Sequence, residues 1–417
     1  MGETVDQSVT KTLFVCVVED DPPLAAIIAH LLEAVGHRVK TFNSSIEALE
    51  QIPQLRPDIV LTDIMLPGLD GLELCRALRK DPALPDLKIV ILSAKAYDYD
   101  REDARNSGAN GFIPKPIRPE VFATQLMGCI SDAVTVRYWG VRGTLPVPGP
   151  TSLRYGGNTS CVSLEFPRQQ NFVFDAGTGI KQLSNHLMTR RDGKWSAKLF
   201  ISHPHWDHIN AFPFFSPLFV PGNEIEVIGA KHGKMTMREL MAAQMDDVYF
   251  PIKLRELGAR IYFRDIVGET LTFGDVEVKS MLLSHPGKCL GYRVNYNGRS
   301  FCYITDNEIY PLDSEHNNPK YEADLIRFME GADIALMDST YFADEYRKKV
   351  HWGHSSVDEV VRIAHAAKVK ELHLYHHDPD QTDEMIDRKL VTARDLLAGL
   401  GSSTVCMAPG EGTVLRL

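Results

Sequence analysis

ISHPHWDHIN, residues 201–210, sets His203, His205, Asp207 and His208 within six positions of one another. The run continues an apolar segment of strand character, KLFI (198–201), and Ser202 and Pro204 break regular structure behind it. On an extended backbone alternate residues share a side, so the imidazoles of His203 and His205 converge. Asp207 and His208 then fall on a tight turn that opens towards a helix. Imidazole and carboxylate donors on one loop suit a divalent transition ion such as zinc or manganese. Histidines used only as satisfied polar residues have no need of this spacing. The remaining ligands, if the chain supplies them, decide the matter.

It supplies them at strand ends. VKSMLLSHPGKCLGYRV (278–294) sets His285 at the end of an apolar strand, and SFCYITDNE (300–308) sets Asp306 just past another. VKELHLYHHDP (369–379) ends in His376 and His377; His376 is the first choice and His377 its rival. These strand ends can meet at one rim, and seven donors suit two cations sharing an anionic oxygen.

HPHWDH resembles the HxHxDH signature of the metallo-β-lactamase superfamily, and the order His-x-His-x-Asp-His…His…Asp…His is present over 134–417. The resemblance implies an αββα sandwich with a dimetal site at one edge. It assigns His203, His205 and His285 to one metal, Asp207, His208 and His376 to the other, and Asp306 to a bridge between them. The metals it implies are zinc or manganese, with iron a further candidate. Within the superfamily, flavodiiron proteins replace the second His with Glu, classical β-lactamases lack the bridging Asp, and glyoxalase II keeps Gly-Gly after the DH pair. This chain has His205, Asp306 and DHINAFPFF (207–215) instead. RGTLPVPGP (142–150), RYGGNTSC (154–161), YITD (303–306) and WGHSS (352–356) are similar to the phosphodiesterase branch, which includes tRNase Z and enzymes that open cyclic nucleotides.

That branch implies a histidine near the phosphate at the start of a helix, here His354 in HWGHSSVDEVV (351–361). With Asp207 orienting the nucleophile, a protonated His354 would stabilise developing charge or protonate the leaving oxygen. Asp338 in LMDST (336–340) either orients a ligand or His354, or caps a loop. Asp175 in FDAGTG supports the metal loop, and His351 is a surface or supporting residue. FPFFSPLFVPG (212–222) either stacks a base or packs, with packing favoured, and the Met-rich helix within MTMRELMAAQMDDVYFP (235–251) covers the site or forms a subunit contact.

The first 130 residues read differently. TLFVCVV (12–18), HRVKTF (37–42), PDIVLTD (57–63), LKIVILSA (87–94) and ANGFIPK (109–115) are strand-like. They alternate with helical segments at 22–36, 45–52, 71–80, 100–108 and 119–133, which implies a doubly wound parallel sheet with its ligands at the carboxyl strand ends. Glu19, Asp20, Asp63, Ser93 and Lys115 fall at those ends. The segment 12–133 resembles a response-regulator receiver domain of (βα)5 form. By that resemblance Asp63 is the phosphoacceptor, Glu19, Asp20 and Asp63 hold Mg²⁺, Ser93 and Phe112 are switch residues, and Lys115, in a cis bond to Pro116, pairs with the phosphoryl group. A sensor histidine kinase is the implied phosphodonor.

The chain of 417 residues carries a formal net charge of −10, so a long polyanion such as DNA or structured RNA is not its obvious partner. No apolar run approaches the ~20 residues of a membrane span, and MGETVDQSVTK lacks a signal-peptide core. Seven cysteines without a CxxC pair read as reduced thiols in a cytoplasm. No Pro- or Gly/Ser-rich linker separates the domains at 133/134, so the final receiver helix is expected to couple to the domain behind it, and a homodimer is expected through that helix. The combined expectation is a phosphorylation-regulated dimetal phosphodiesterase acting on a small phosphodiester, a cyclic nucleotide first. A thioesterase or lactonase, or a nucleotide- or metal-sensing scaffold, are the alternatives.

Overall fold

The computed structural model describes residues 12–94, 103–104, 106–167, 170–189 and 194–417. The chain divides into two compact units, the first ending at Ala133 and the second comprising Val134–Glu165 and Gln170–Leu417.

The first unit holds β1 (Phe14–Val18), β2 (Arg38–Phe42), β3 (Ile59–Asp63), β4 (Lys88–Ser93) and β5 (Gly111–Pro114) in the order β2-β1-β3-β4-β5. All neighbours in this sheet run parallel. β1, β3 and β4 are buried almost throughout, because helices cover both faces. The helix Pro22–Ala34 starts with proline in its first turn, where the missing N–H costs nothing, and Asp21 caps it. Asp70 and Glu73 form a reciprocal cap on the helix Gly71–Arg79. The last helix is Pro119–Ile130, shorter at its end than the sequence suggests. Of the helix expected over 100–108, residues 103, 104 and 106 are helical, and 100–102 and 105 lie outside the described residues.

The second unit contains two seven-stranded sheets. The first comprises β6 (Thr135–Gly140), β7 (Cys161–Glu165), β8 (Asn171–Phe174), β9 (Ser196–Phe200), β10 (Glu224–Gly229), β11 (Arg260–Asp265) and a C-terminal strand, Val414–Arg416. The second comprises β12 (Thr270–Phe273), β13 (Val276–Leu283), β14 (Cys289–Tyr296), β15 (Arg299–Ile304), β16 (Ile334–Asp338), β17 (Glu371–Tyr375) and β18 (Val405–Met407). The C-terminal strand, β19, lies antiparallel to β6.

Aromatic side chains fill the space between the sheets. Phe174 on β8 stacks on Tyr303 of β15 at 5.2 Å between ring centroids, and Phe200 on β9 meets Tyr292 of β14 at 5.2 Å. The buried tyrosine hydroxyls cross the sandwich to find acceptors: Tyr292 donates to the Ile201 carbonyl and Tyr375 to the Gly140 carbonyl. On the outer face of the first sheet, Ile180, Leu183, Phe212, Met237 and Met241 form one core. Leu325, Val357, Val361, Ile363 and Leu397 cover the second. The layers are therefore αββα. The Met-rich segment is a helix, Met237–Ala243, whose buried methionines belong to that outer core and do not cover the site. FPFFSPLFVPG divides in the same way: Phe212 and Phe215 are buried, Phe214 and Phe219 exposed. Among the described residues, no helix is long and apolar enough to cross a membrane.

Candidate dinuclear metal centre

β9 ends at Phe200, the chain bends at Ser202, and His205, itself extended, precedes one helical turn, Trp206–Ile209. Asp207 and His208 sit inside that turn, not on a turn ahead of a helix, because His205 caps it and Trp206 opens it. The other donors arrive where the reading of strand ends puts them. His285 follows β13, Asp306 follows β15 and His376 follows β17. Backbone strain collects here: among the described residues, Thr144, Asp175, Asp306, His351 and His376 are five of the eight non-glycine residues with positive φ. Each such residue costs on the order of 1–3 kcal/mol and persists only where its surroundings hold it.

Donor atoms of His203, His205, His285 and Asp306 lie within 4.8 Å of one another, as do those of Asp207, His208 and His376. Asp306 belongs to both sets by virtue of its two oxygens. Oδ1 lies 3.1 Å from His208 Nε2 and 3.1 Å from His376 Nε2. Oδ2 lies 3.6 Å from His203 Nε2 and 3.8 Å from His285 Nε2. Asp207 Oδ2 stands 3.1 Å from His208 Nε2 and 3.2 Å from His376 Nε2. His377 turns away, with its ring buried and Nδ1 3.4 Å from Lys389 Nζ.

The outward ring nitrogens of His208, His285 and His376 are held. Asp175 takes His208 Nδ1 at 2.7 Å, and Ser202 and Tyr303 donate to the same carboxylate. The Gly353 carbonyl takes His285 Nδ1 at 2.8 Å, and Thr340 Oγ1 stands 3.2 Å from His376 Nδ1. Such partners fix tautomer and ring orientation, which is how ligating histidines are held. The inward Nε2 atoms of His203 and His208 are buried and make no well-aligned hydrogen bond, although carboxylate oxygens lie 3.1 to 3.6 Å from them. Unpaired buried polar atoms are costly, and a cation satisfies both. The residues present therefore fit a pair of divalent cations.

Electrostatics agrees with that fit. Burial, then the neighbouring imidazoles, holds His203 well below the usual histidine range, the neutral form that binds metal. Burial opposes charge on His208, yet Asp207, Asp306 and Asp175 around it push it well above that range. Burial alone would raise Asp306, but His208 and the other imidazoles hold it well below the carboxylate range. Without metal the cluster therefore pairs carboxylates at Asp207 and Asp306 with a charged His208 and a neutral His203, and a cation in the site takes over the counter-charge that the His208 proton supplies.

His354 lies over this cluster, its ring stacked on His376 at 4.9 Å. Its Nδ1 is 2.8 Å from Asp338 Oδ2, which leaves Nε2 as the nitrogen available to a substrate. Burial lowers His354, but Asp338, Asp306 and Asp207 outweigh it and lift the imidazole to about 9. Asp338 also accepts from the Asn307 and Thr340 backbones, so it joins the loops of Asp306, His354 and His376. Sequence reasoning singled out RGTLPVPGP (142–150) as a resemblance but gave Arg142, Gly143 and Thr144 no role. The buried Arg142 anchors it through the Gly156 and Gln381 carbonyls, and Gly143 packs on His376, where an added Cβ would lie 2.2 Å from the ring. Thr144 N–H donates to Asp207 Oδ2 at 2.8 Å.

In the first unit, Glu19, Asp20 and Asp63 bring carboxylate oxygens within 4.8 Å of one another. Lys115 Nζ lies 2.6 Å from Asp63 Oδ2 and 2.8 Å from Glu19 Oε2, and the Lys115–Pro116 bond is cis. Ser93 ends β4 beside Asp63 and is buried; Phe112 is buried in β5.

Residues 15–126 match the response regulator receiver domain, and residues 170–377 match the beta-lactamase superfamily domain. Fold and site thus define a receiver joined to a metallo-β-lactamase-fold domain that carries a candidate dinuclear metal centre. The chain belongs to the response-regulator family and carries a domain of the beta-lactamase superfamily behind its receiver. It is 39% identical over 157 residues, 36% of this chain and 67% of the relative, to the DNA-binding response regulator MtrA of Mycolicibacterium smegmatis. The MtrA of Mycobacterium leprae is 32% identical over 155 residues, 36% of this chain and 68% of that relative. The metallo-beta-lactamase fold protein YhfI from Bacillus subtilis aligns with 69% of this chain and all of its own, at 17% identity and a TM-score of 0.50, a likeness of fold.

Proposed function

We propose that the protein is a dimetal phosphodiesterase of a two-component system, cleaving a small phosphodiester, a cyclic nucleotide first, under control of phosphorylation at Asp63. The observation that carries this reading is the Asp306 carboxylate, one oxygen towards each donor set, with His354 and Asp338 beside it. His203, His205 and His285 would hold one cation, Asp207, His208 and His376 the other, and Asp306 both. Two such cations clamp phosphoryl oxygens and acidify water. The chain's own residues supply the rest. Thr144 N–H fixes the Asp207 carboxylate, so its orientation towards the reacting water is set before substrate arrives. His354, charged through Asp338, donates its Nε2 proton to the departing 3′ oxygen as the P–O bond breaks, and takes a new one from solvent.

In the receiver, Mg²⁺ would lie among Glu19, Asp20 and Asp63, with Lys115, Ser93 and Phe112 reading the phosphorylated state. A sensor kinase supplies the phosphoryl group, a homodimer forms through the last receiver helix, and the location is cytoplasmic. The test is hydrolysis of bis(p-nitrophenyl) phosphate with Mn²⁺ or Zn²⁺, beside cyclic mono- and dinucleotides, by wild type and His205→Ala. Metal-dependent turnover lost in the variant supports the reading. Wild type with two bound metals and no turnover on any phosphodiester, whether or not Asp63 is phosphorylated, overturns it in favour of thioesters or lactones.

A further inference from the structure

Glu308 is 2% exposed, and among the described residues no cation pairs with it. A buried carboxylate without a counter-charge is destabilising unless several donors solvate it. Here three donors are the Tyr346 hydroxyl at 2.9 Å, the His351 N–H at 2.7 Å and the Gly353 N–H at 2.9 Å, and the Tyr310 hydroxyl also faces the carboxylate. Two of the three come from a single short loop, 351–353. Glu308's own N–H donates to the Ser284 carbonyl at 2.7 Å, which ties the strand carrying Asp306 to the residue before His285.

The loop so held is strained and crowded. His351 has φ 70° and Gly353 φ 85°. A Cβ on Gly353 would lie 2.2 Å from His285 Nδ1, so the backbone is pressed against the ligand ring. That contact is functional in direction, because the Gly353 carbonyl accepts from His285 Nδ1 at 2.8 Å and so aims Nε2 at His205 and Asp306. The next residue is His354.

We propose that Glu308 is a positioning residue: its carboxylate clamps loop 351–353, and through the Gly353 carbonyl it orients His285 and so sets the affinity of the metal held by His203, His205 and His285. The inference rests on the dimetal reading and adds to it a carboxylate that touches neither metal. It makes an asymmetric prediction. Loss of the clamp loosens one metal and spares the other, whose ligands Asp207, His208 and His376 are held by Thr144, Asp175 and Thr340.

The experiment is release of Zn²⁺ from the full chain by a graded chelator, with His285→Ala identifying the step that belongs to this metal. In Glu308→Gln an amide N–H₂ faces at least one of the loop's N–H donors, so the clamp is broken without loss of volume. The expected result is about 10- to 100-fold weaker binding of that one zinc, the range for loss of such an orienting partner, with the other changed less than twofold. Glu308→Asp should restore part of the loss. Tyr346→Phe, which removes one donor and no charge, should weaken the same zinc by less; it keeps the test usable if Glu308→Gln does not fold. Both metals retained within twofold, or both weakened alike, overturns the proposal. Wild type that binds no zinc overturns the dimetal reading beneath it.

Discussion

His354 owes its charge to what faces it. Asp338 holds Nδ1, and with Asp306 and Asp207 it lifts the imidazole to about 9 against its burial; bound cations pull it back down. A general acid acts in its protonated form, so activity is present below this pKa and lost as pH rises through it. The pH profile of kcat/KM should therefore fall on its alkaline side with an apparent pKa at or below about 9. Asp338→Asn should shift that limb to lower pH, and His354→Ala should abolish the limb with a loss of about 10²- to 10⁴-fold in kcat. An unshifted limb in Asp338→Asn would remove His354 from the role. At this scale the donors were legible, because imidazoles and carboxylates recur at the ends of apolar runs. Of the residues that hold them, Asp175 and Asp338 were singled out in the sequence, at the ends of apolar runs, and the rest were not. Arg142, Gly143, Thr144 and Glu308 act through backbone atoms of segments distant in sequence, and no spacing announces such contacts.

Among the elements, the helix Asp383–Gly399 carries a fully buried lysine. Lys389 Nζ donates to the Ser339 and Thr340 carbonyls, and burial lowers it to about 7 although Glu345, Asp338 and Asp378 oppose the shift. The sign follows from its being a base with a depressed pKa. Between about 7 and 10.5 the unfolded chain binds a proton that the folded chain does not, so this group makes stability rise with pH across that window. The urea midpoint of the metal-stripped chain should rise more from pH 7.5 to 9.5 in wild type than in Lys389→Met. Equal rises would show that Lys389 is charged in the fold. Most strands were legible as apolar runs, but Glu224–Gly229, Arg260–Asp265 and Thr270–Phe273, with their alternating exposure, and the three-residue Val405–Met407 and Val414–Arg416 were not. The Met-rich segment is helical as its spacing suggests, but its buried methionines serve the outer core, because periodicity says which face is apolar and not what covers it.

For the whole molecule, the order of the two domains could be read from two independent patterns: carboxylates and a lysine at parallel strand ends, then histidines at the ends of a second set of strands. What the sequence left unstated is the sense of the regulation, since coupling depends on how one unit biases the other and not on either site alone. Phosphorylation at Asp63 should change kcat/KM by roughly 5- to 150-fold, the span of typical allosteric couplings. Acetyl phosphate or beryllofluoride added to wild type and to Asp63→Asn tests this. A rate unmoved in wild type, with oligomeric state also unmoved, would leave the receiver without control of the hydrolase.

The central claim is that Asp306 joins two cations, and anomalous diffraction at the zinc edge from crystals of the zinc-loaded chain tests it most directly. The account predicts two peaks about 3.5–4 Å apart, one on each side of the Asp306 carboxylate. One peak, or two that do not share Asp306, would contradict it.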